Sequence, residues 1–184
     1  MNRDINLKVN NDKKVKASFK ELDISYIDKI MNLQSKIYDL LDKKNFYFNT
    51  SREEFINIIN KIGKVIGCIT EDDQLIAIGV YAAYGLNEEN YGYDLDFSKE
   101  DILKTINFES TIVLPEYRGN GLQRKIIEVL EEAALEEDIK YIGATADPEN
   151  VYSVNNIKSM GFEIVKEKEK YGGLRRYIFK KLIK

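Results

Sequence analysis

The stretch Pro115-Glu116-Tyr117-Arg118-Gly119-Asn120-Gly121-Leu122 connects two apolar segments of different periodicity. Residues 108–114 before it have the composition of a strand, and apolar residues recur at helical spacing from Leu122 onward. The first N–H groups of a helix lack partners within the helix, and the helix dipole adds positive potential there. Gly119 and Gly121 carry no Cβ that would hold an anion away from the backbone. The stretch therefore predicts a phosphate-binding turn between a strand and a helix.

The hydrophobic periodicity of the rest of the chain predicts one mixed α/β domain of the α+β kind. Residues 1–13 are polar and predict a flexible N-terminal tail, and residues 14–184 form the predicted domain. Its predicted order is β-α-α-β-β-β-α-β-α-β-β. A capping box from Ser51 to Glu54 marks the start of the second helix. The predicted strands lie at 14–20, 64–70, 74–84, 108–114, 140–146, 162–168 and 174–182, and the last two helices at 120–137 and 151–160.

A second motif, Asn150-x-x-Ser153 followed by Gly161-Phe162, lies downstream of the first. Together with Arg118-Gly119-Asn120-Gly121 it resembles the signatures of the GNAT N-acetyltransferases, whose acetyl-CoA motif is R-x-x-G-x-(G/A). The resemblance runs from about Val15 to the end of the chain. It implies a single mixed, mostly antiparallel sheet flanked by helices. It also implies acetyl-CoA as cosubstrate and direct acetyl transfer to an amine, which is a small amine, an amino acid or a peptide N-terminus.

The resemblance further implies where the cosubstrate binds. The CoA pyrophosphate would lie on the backbone amides of Arg118, Gly119, Asn120, Gly121, Leu122 and Gln123. The main chain of Val113 and Leu114 would pair with the pantetheine arm, where the sheet is expected to splay. The Asn150 side chain would hydrogen-bond the pantetheine end, with Ser153 nearby. Asn150 is also a good helix N-cap, and both roles can hold at once.

The chain departs from the family pattern at two positions. Gln123 stands where the motif usually has Gly or Ala, and its amide could instead donate to a phosphate oxygen. Many GNAT enzymes have a tyrosine four residues before the Gly-Phe pair, where it protonates the CoA thiolate, and that position is Ile157 here. Tyr152 is a candidate replacement acid, or else a packed or surface aromatic. Tyr171 is a candidate for lining the acceptor pocket. The loss of the tyrosine also supports an alternative function, a non-catalytic acyl-CoA-binding module.

An amine acceptor must lose a proton before it attacks the thioester, so the site needs a base. Glu109 is the first candidate, because strand alternation places Asn107, Glu109, Thr111 and Val113 on one face. Such a polar face is typical of a strand that lines a cavity, although a solvated strand edge would show it too. Cys68 could in principle be a nucleophile, but its apolar neighbours favour a buried small side chain.

Residues 85–105 form a long acidic segment, in which Ser98 and Asp101 predict a short helix. Its carboxylates could attract a cationic acceptor, or they could simply be a solvated face. They are Glu88, Glu89, Asp94 and Asp96.

The composition excludes several other classes of protein. The 184 residues contain no histidine and one cysteine, which argues against Ser-His or Cys-His catalysis and against a zinc site. The net charge of −3 argues against nucleic acid as a partner. We expect no metal, no membrane span and no secretory signal, and the lone cysteine fits the cytoplasm. Residues 174–182 are a candidate edge strand for a homodimer.

Overall fold

The structure is a computed structural model, and it describes residues 3–9 and 13–183. The strands are β1 (Arg3–Val9), β2 (Lys13–Glu21), β3 (Gly63–Thr70), β4 (Leu75–Ala82), β5 (Thr105–Val113), β6 (Tyr141–Ala146), β7 (Glu163–Lys170) and β8 (Leu174–Leu182). The helices are α1 (Ile27–Asp39), α2 (Arg52–Asn57), α3 (Tyr91–Asp94), α4 (Lys99–Leu103), α5 (Leu122–Glu136) and α6 (Val151–Ser159). A π-helical turn, Ile58–Ile62, continues α2.

The strands form one eight-stranded mixed sheet in the order β1-β2-β3-β4-β5-β6-β8-β7. Its parallel register joins β5 to β6, from Thr105↔Tyr141 to Phe108↔Ala144. The pairs β1/β2, β2/β3, β6/β8 and β7/β8 are antiparallel. These observations confirm the predicted mixed, mostly antiparallel sheet flanked by helices. The candidate dimer edge at 174–182 is wrong, because β8 has a hydrogen-bonded strand on each side.

The first strand corrects the prediction of a flexible tail over residues 1–13. Arg3–Val9 pairs along its whole length with β2, and Leu7 is completely buried. The segment is rich in polar residues, but Ile5, Leu7 and Val9 alternate with them at the period of a strand. The polar composition of this segment therefore did not exclude a strand, because its apolar residues recur at every second position. The remaining tail residues, 1–2 and 10–12, lie outside the described part of the chain.

The predicted single domain divides into two compact units. The first comprises the described residues up to Leu41 together with Asn49–Tyr81 and Ser110–Leu130. The predicted capping box is present in it, since the Ser51 side chain accepts from the Glu54 N–H. Its core contains the buried face of α1, Phe55 from α2, the interior of β3 and β4, and the inward face of α5.

The second unit comprises Asp42–Phe48, Ala82–Glu109 and the chain from Glu131 onward. Ser98 caps α4 by accepting from the Asp101 N–H, as its sequence predicts. Buried side chains of β5, β6 and β8 form its core, among them Ile106, Ile142 and Phe179. Within the described ranges, no helix is long and apolar enough to cross a membrane.

Gly79 in β4 gives a stability prediction, because α5 packs directly on it. A Cβ at this position would lie 2.2 Å from Ile126 Cγ2 and 3.3 Å from Leu130 Cδ1. We expect Gly79→Ala to lower the free energy of unfolding by about 1–3 kcal/mol, since it overpacks the core. Thermal unfolding should show a midpoint that falls by roughly 2–4 °C for each kcal/mol lost.

A double variant controls for this prediction. Ile126→Ala removes the side-chain atom that the new methyl group would strike. The loss in Gly79→Ala/Ile126→Ala should therefore be smaller than the sum of the two single losses. An unchanged midpoint in Gly79→Ala, or strict additivity, would contradict the tight contact.

Candidate active site

The predicted phosphate-binding turn forms an open loop ahead of α5. Gly119 and Gly121 have φ angles of +82° and +66°, in the left-handed region that favours glycine. A Cβ on Gly119 would meet nothing within 4 Å, so the space above it is open. Arg118 is exposed, and its guanidinium makes no hydrogen bond or ion pair with the described residues. An open backbone turn with an uncommitted cation fits an anionic ligand.

Asn120 holds this turn against β1. Its Oδ1 accepts from the Lys8 N–H at 2.8 Å, and its Nδ2 donates to the Lys8 carbonyl at 2.8 Å. The Nδ2 also donates to the Tyr117 carbonyl at 3.0 Å, while Lys125 Nζ donates to the Asn120 carbonyl at 2.7 Å. The side chain is therefore committed within the protein, and the backbone N–H of Asn120 is the group that fits the predicted role.

At the end of β5, the two predicted pantetheine partners, Val113 and Leu114, differ in the hydrogen bonding of their backbone groups. The Leu114 N–H donates to the Ile76 carbonyl at 2.9 Å, and the Leu114 carbonyl accepts from Tyr117 at 3.0 Å. Successive residues of a strand direct their backbone groups to opposite sides, so those of Val113 point away from β4. The Leu114 N–H is therefore already hydrogen-bonded within the protein, and the pantetheine contacts of Val113 and Leu114 stay predictions.

Two hydroxyl groups on β5 are buried without a partner. Ser110 Oγ and Thr111 Oγ1 are shielded from solvent and form no hydrogen bond within the described chain. A buried unsatisfied hydroxyl costs roughly 1–3 kcal/mol. Native proteins retain such groups where a ligand or a functional role compensates for the cost, which marks this part of β5 as a candidate ligand-contacting segment.

Helix α6 begins at Asn150, as its sequence predicts. The Asn150 Oδ1 accepts from the Ser153 N–H at 3.1 Å, so the N-cap interpretation is correct. Its Nδ2 makes no hydrogen bond to the described residues, and its contact with the pantetheine stays a prediction. Ile157 is buried, whereas Tyr152 is 88% exposed on the first turn. The role of Tyr152 as an acid stays a prediction, and no contact joins it to Glu109.

Glu109 lies in a polar cluster of the second unit. Asn107 Nδ2 donates to Glu109 Oε1 at 3.1 Å, and the Tyr91 hydroxyl donates to Glu109 Oε2 at 3.2 Å. Asn107 also holds α3 in place, because its Oδ1 accepts from the Tyr91 N–H at 2.8 Å. Asn107 and Glu109 thus share one side of β5, as strand alternation predicts. Glu109 is the first residue of β5 beyond the parallel register with β6.

A line of hydroxyl groups extends from this carboxylate. The Tyr91 and Tyr171 hydroxyl oxygens are 2.5 Å apart, and Thr145 Oγ1 lies 3.2 Å from the Tyr171 hydroxyl. Burial, followed by the negative charge of Glu109, raises the pKa of Tyr91 well above its usual value. The same two causes raise the pKa of Tyr171 to about 12. Both phenols therefore remain protonated at neutral pH.

Cations and an aromatic ring surround the Tyr171 side chain. The Phe48 ring stacks on it with a centroid distance of 4.7 Å. Lys170 Nζ lies 4.9 Å from the Tyr91 ring centroid and 5.7 Å from that of Tyr171. Arg176, itself paired with buried Asp147 at 3.3 Å, lies 5.6 Å from the Tyr171 centroid. The hydroxyl line is thus held by packing as well as by hydrogen bonds.

A family model described as the acetyltransferase (GNAT) family matches residues 25–162, which is most of the chain. The chain belongs to the GNAT acetyltransferase family. The family uses acetyl-CoA as cosubstrate, so the predicted cosubstrate is confirmed. A search of curated proteins by sequence finds no match.

Solved GNAT structures share the fold at low sequence identity. The ribosomal-protein-S18-alanine N-acetyltransferase from Escherichia coli has a TM-score of 0.66 at 13% identity, over 91% of this chain and 94% of that one. A GNAT acetyltransferase from Streptococcus pneumoniae has a TM-score of 0.68 at 15% identity, and the match covers 91% of this chain and 99% of that one. The yncA protein from Salmonella typhimurium, a putative acetyltransferase solved with its cofactor acetyl-CoA, has a TM-score of 0.67 at 13% identity. The match covers 91% of this chain and 94% of that one.

Part of the acidic segment of this GNAT chain is paired with lysines of β7. Asp94 is buried and paired with Lys168 at 2.6 Å and with Lys170, and Asp96 pairs with Lys166 at 2.5 Å. Burial raises the pKa of Asp94, but hydrogen bonds from Lys168 and Lys170 outweigh it and lower the pKa overall. Two of the four carboxylates suggested to attract a cationic acceptor are therefore neutralised by β7.

Cys68 behaves as a buried apolar residue in this GNAT fold. It is completely buried in β3, and burial raises the pKa of its thiol to about 12. A thiol that stays protonated is a poor nucleophile, so the structure supports the interpretation as a small core residue. Within the described residues, no group of three or more carboxylate or cysteine side chains is placed to hold a metal ion.

Sequence reasoning missed the roles of Tyr91 and Thr145. Tyr91 lies in the long acidic segment and reaches Glu109 only because Asn90 caps α3 and anchors it. The Asn90 side chain donates to the carbonyls of Gly85, Ile102 and Thr105. The cap motif is visible in the sequence, but its distant partners are not.

Proposed function

We propose that the protein transfers the acetyl group of acetyl-CoA directly to an amine, with Glu109 as the base. The observation that carries this proposal is the Glu109 carboxylate, which accepts hydrogen bonds from Asn107 and Tyr91 next to two orphaned hydroxyls of β5. Bound acetyl-CoA supplies the activated thioester. The protein then has to align the amine and remove its proton.

For the cosubstrate, we propose the turn at Arg118-Gly119-Asn120-Gly121, with the following residues Leu122 and Gln123, as the pyrophosphate site. The open space above Gly119 and the uncommitted Arg118 guanidinium support this assignment. We propose the backbone of Val113 and the Nδ2 of Asn150 as partners of the pantetheine arm, with Ser153 near Asn150. The acid that protonates the departing thiolate stays a prediction at Tyr152.

For the acceptor, we propose an amine, with a peptide N-terminus as the first candidate over a small amine or an amino acid. The similar structures include ribosomal-protein alanine acetyltransferases from Escherichia coli, Brucella melitensis and Vibrio fischeri. An α-amino group has a pKa of about 7.7–8.0, so a carboxylate base can deprotonate it more readily than it can a lysine-like amine. We further propose that the protein works in the cytoplasm, where a single unpaired cysteine is stable.

Thermal unfolding with acetyl-CoA, dephospho-CoA and pantetheine tests the cosubstrate site. A ligand at about 100 times its dissociation constant adds about 2.7 kcal/mol to the folded state. We expect the two pyrophosphate-bearing compounds to raise the midpoint and pantetheine to leave it unchanged. A midpoint that saturating acetyl-CoA does not move would refute the site.

Turnover tests the transferase itself. Release of free CoA thiol should be followed with an alanine-initiated peptide, spermidine and free amino acids as acceptors. Thiol release that depends on one acceptor class would support the proposal. Binding of acetyl-CoA without turnover of any acceptor would favour the alternative, a non-catalytic acyl-CoA-binding module. The buried Ile157 at the usual tyrosine position is the observation that keeps this alternative open.

A further inference from the structure

We infer that Tyr171 receives the proton of the acceptor amine and that Tyr91 passes it on to Glu109. This inference rests on the proposed transferase and names the path by which Glu109 acts as its base. The three side chains come from β5, from α3 and from the turn between β7 and β8. All of them belong to the second compact unit.

The direction of the hydrogen bonds follows from counting donors. An ionised carboxylate can only accept, so the Tyr91 hydroxyl must donate to Glu109 Oε2. A phenol has a single O–H, and the hydrogen between the two tyrosines must therefore come from Tyr171. By the same reasoning, Thr145 donates to the Tyr171 oxygen. The four groups form a one-way line from Thr145 through Tyr171 and Tyr91 to Glu109.

Tyr171 is the more accessible of the two tyrosines in this line. Tyr91 is 2% exposed and enclosed, whereas Tyr171 is partly exposed. The Tyr171 oxygen has two lone pairs, and Thr145 occupies one of them. The other can accept an N–H from an ammonium group. Glu109 already accepts one hydrogen bond on each carboxylate oxygen, from Asn107 and from Tyr91.

The proton transfer is balanced. The ammonium N–H bond breaks as an O–H bond forms on Tyr171, whose original hydrogen moves to Tyr91. The original hydrogen of Tyr91 then moves to Glu109 Oε2, which ends as a neutral carboxylic acid. The amine ends neutral, and both phenols end neutral with the direction of their hydrogen bonds reversed. Neither tyrosine has to ionise, in keeping with their burial beside a carboxylate.

The charges around the line do not interrupt it. Lys170 Nζ lies over the Tyr91 ring, but it is paired with the Asp94 carboxylate. Arg176 lies near the Tyr171 ring and is paired with Asp147. These cations face the aromatic rings, whereas the hydroxyl groups face one another and Glu109.

The test compares Tyr171→Phe, Tyr91→Phe and the double variant with the wild-type protein. Tyr93→Phe is the matched control, because Tyr93 lies in the same short helix and its hydroxyl donates to the Leu86 carbonyl instead. An alanine-initiated peptide is the acceptor. Rates are measured near pH 6.5, where its α-amine is mostly protonated, and near pH 9, where it is mostly neutral.

Near pH 6.5 we expect each single variant to lower kcat by about 100-fold, with an unchanged KM for acetyl-CoA and an unchanged rate in Tyr93→Phe. The double variant should be no slower than the singles, because the two residues act as one unit. Near pH 9 the loss should shrink to less than about tenfold, since a neutral amine does not need the line.

Two outcomes would overturn the proton transfer along this line but leave the transferase standing. One is wild-type turnover in Tyr171→Phe near pH 6.5, and the other is a loss of kcat of equal size at both pH values. The first would mean that the amine contacts Glu109 directly, and the second that the tyrosines are merely structural. If Tyr91→Phe fails to fold, the more exposed Tyr171→Phe still decides between these outcomes. If the wild-type protein binds acetyl-CoA but acetylates no acceptor, both the proposed transferase and the proton transfer along this line are overturned.

Discussion

In Glu109→Gln, we expect kcat to fall by about 10²–10⁴-fold while the affinity for acetyl-CoA is retained. A glutamine amide cannot take up the proton that the amine must lose. The amide also has only one oxygen, whereas the carboxylate accepts from Asn107 on Oε1 and from Tyr91 on Oε2. Steady-state kinetics with the best acceptor, together with a thermal shift by acetyl-CoA, measures the two quantities separately.

The control for this variant is Glu136→Gln, which removes an exposed carboxylate elsewhere in the same unit. It should leave kcat unchanged. Full activity in Glu109→Gln would remove Glu109 from the role of base. A simultaneous loss of turnover and of acetyl-CoA binding would show that Glu109 supports the fold of the site instead.

Replacing Gly119 with Ala should weaken acetyl-CoA binding at least tenfold, which corresponds to about 1.4 kcal/mol. Gly119 has a φ of +82°, and its missing Cβ would project into the open space that we assign to the pyrophosphate. The added methyl group therefore competes with the ligand. It also strains the backbone by about 1–2 kcal/mol, because an L-residue is disfavoured at this angle. Binding is measured by calorimetry or by ligand-induced thermal shift.

The chain offers a matched control for the backbone strain. Gly85 also has a positive φ, +56°, and a Cβ there would meet nothing within 4 Å. Gly85→Ala should therefore lose stability to a similar extent and keep its affinity for acetyl-CoA. If both variants bind acetyl-CoA as the wild-type protein does, the turn is not the pyrophosphate site.

The features that the sequence predicted well depend on neighbours along the chain. The turn before α5 and the caps at Ser51, Ser98 and Asn150 each depend on residues within a few positions. The order of strands and helices likewise follows from local periodicity. Local chemistry suffices for these elements because the hydrogen bonds that define them close within one turn.

The features that the sequence did not predict depend on distant partners. Tyr91 and Tyr171 are 80 residues apart in the chain, and no local pattern joins them. Asn120 is predicted to contact the ligand through its backbone N–H, but no local pattern indicates that its side chain binds the backbone of Lys8, 112 residues away. The polar composition of residues 1–13 suggested a tail, although pairing with β2 makes Arg3–Val9 a strand. Each of these outcomes is decided by tertiary pairing that propensity does not encode.

The hydrogen bonds between Asn120 and Lys8 bear on how this protein should be expressed. The family model begins to match at residue 25, and a chain trimmed to that boundary would lack both β1 and β2. Asn120 would then lose its two hydrogen bonds to Lys8, and the glycine turn would lose the strand that holds it. Trimming the chain at the boundary of the family match would therefore disturb the turn that we propose as the pyrophosphate site.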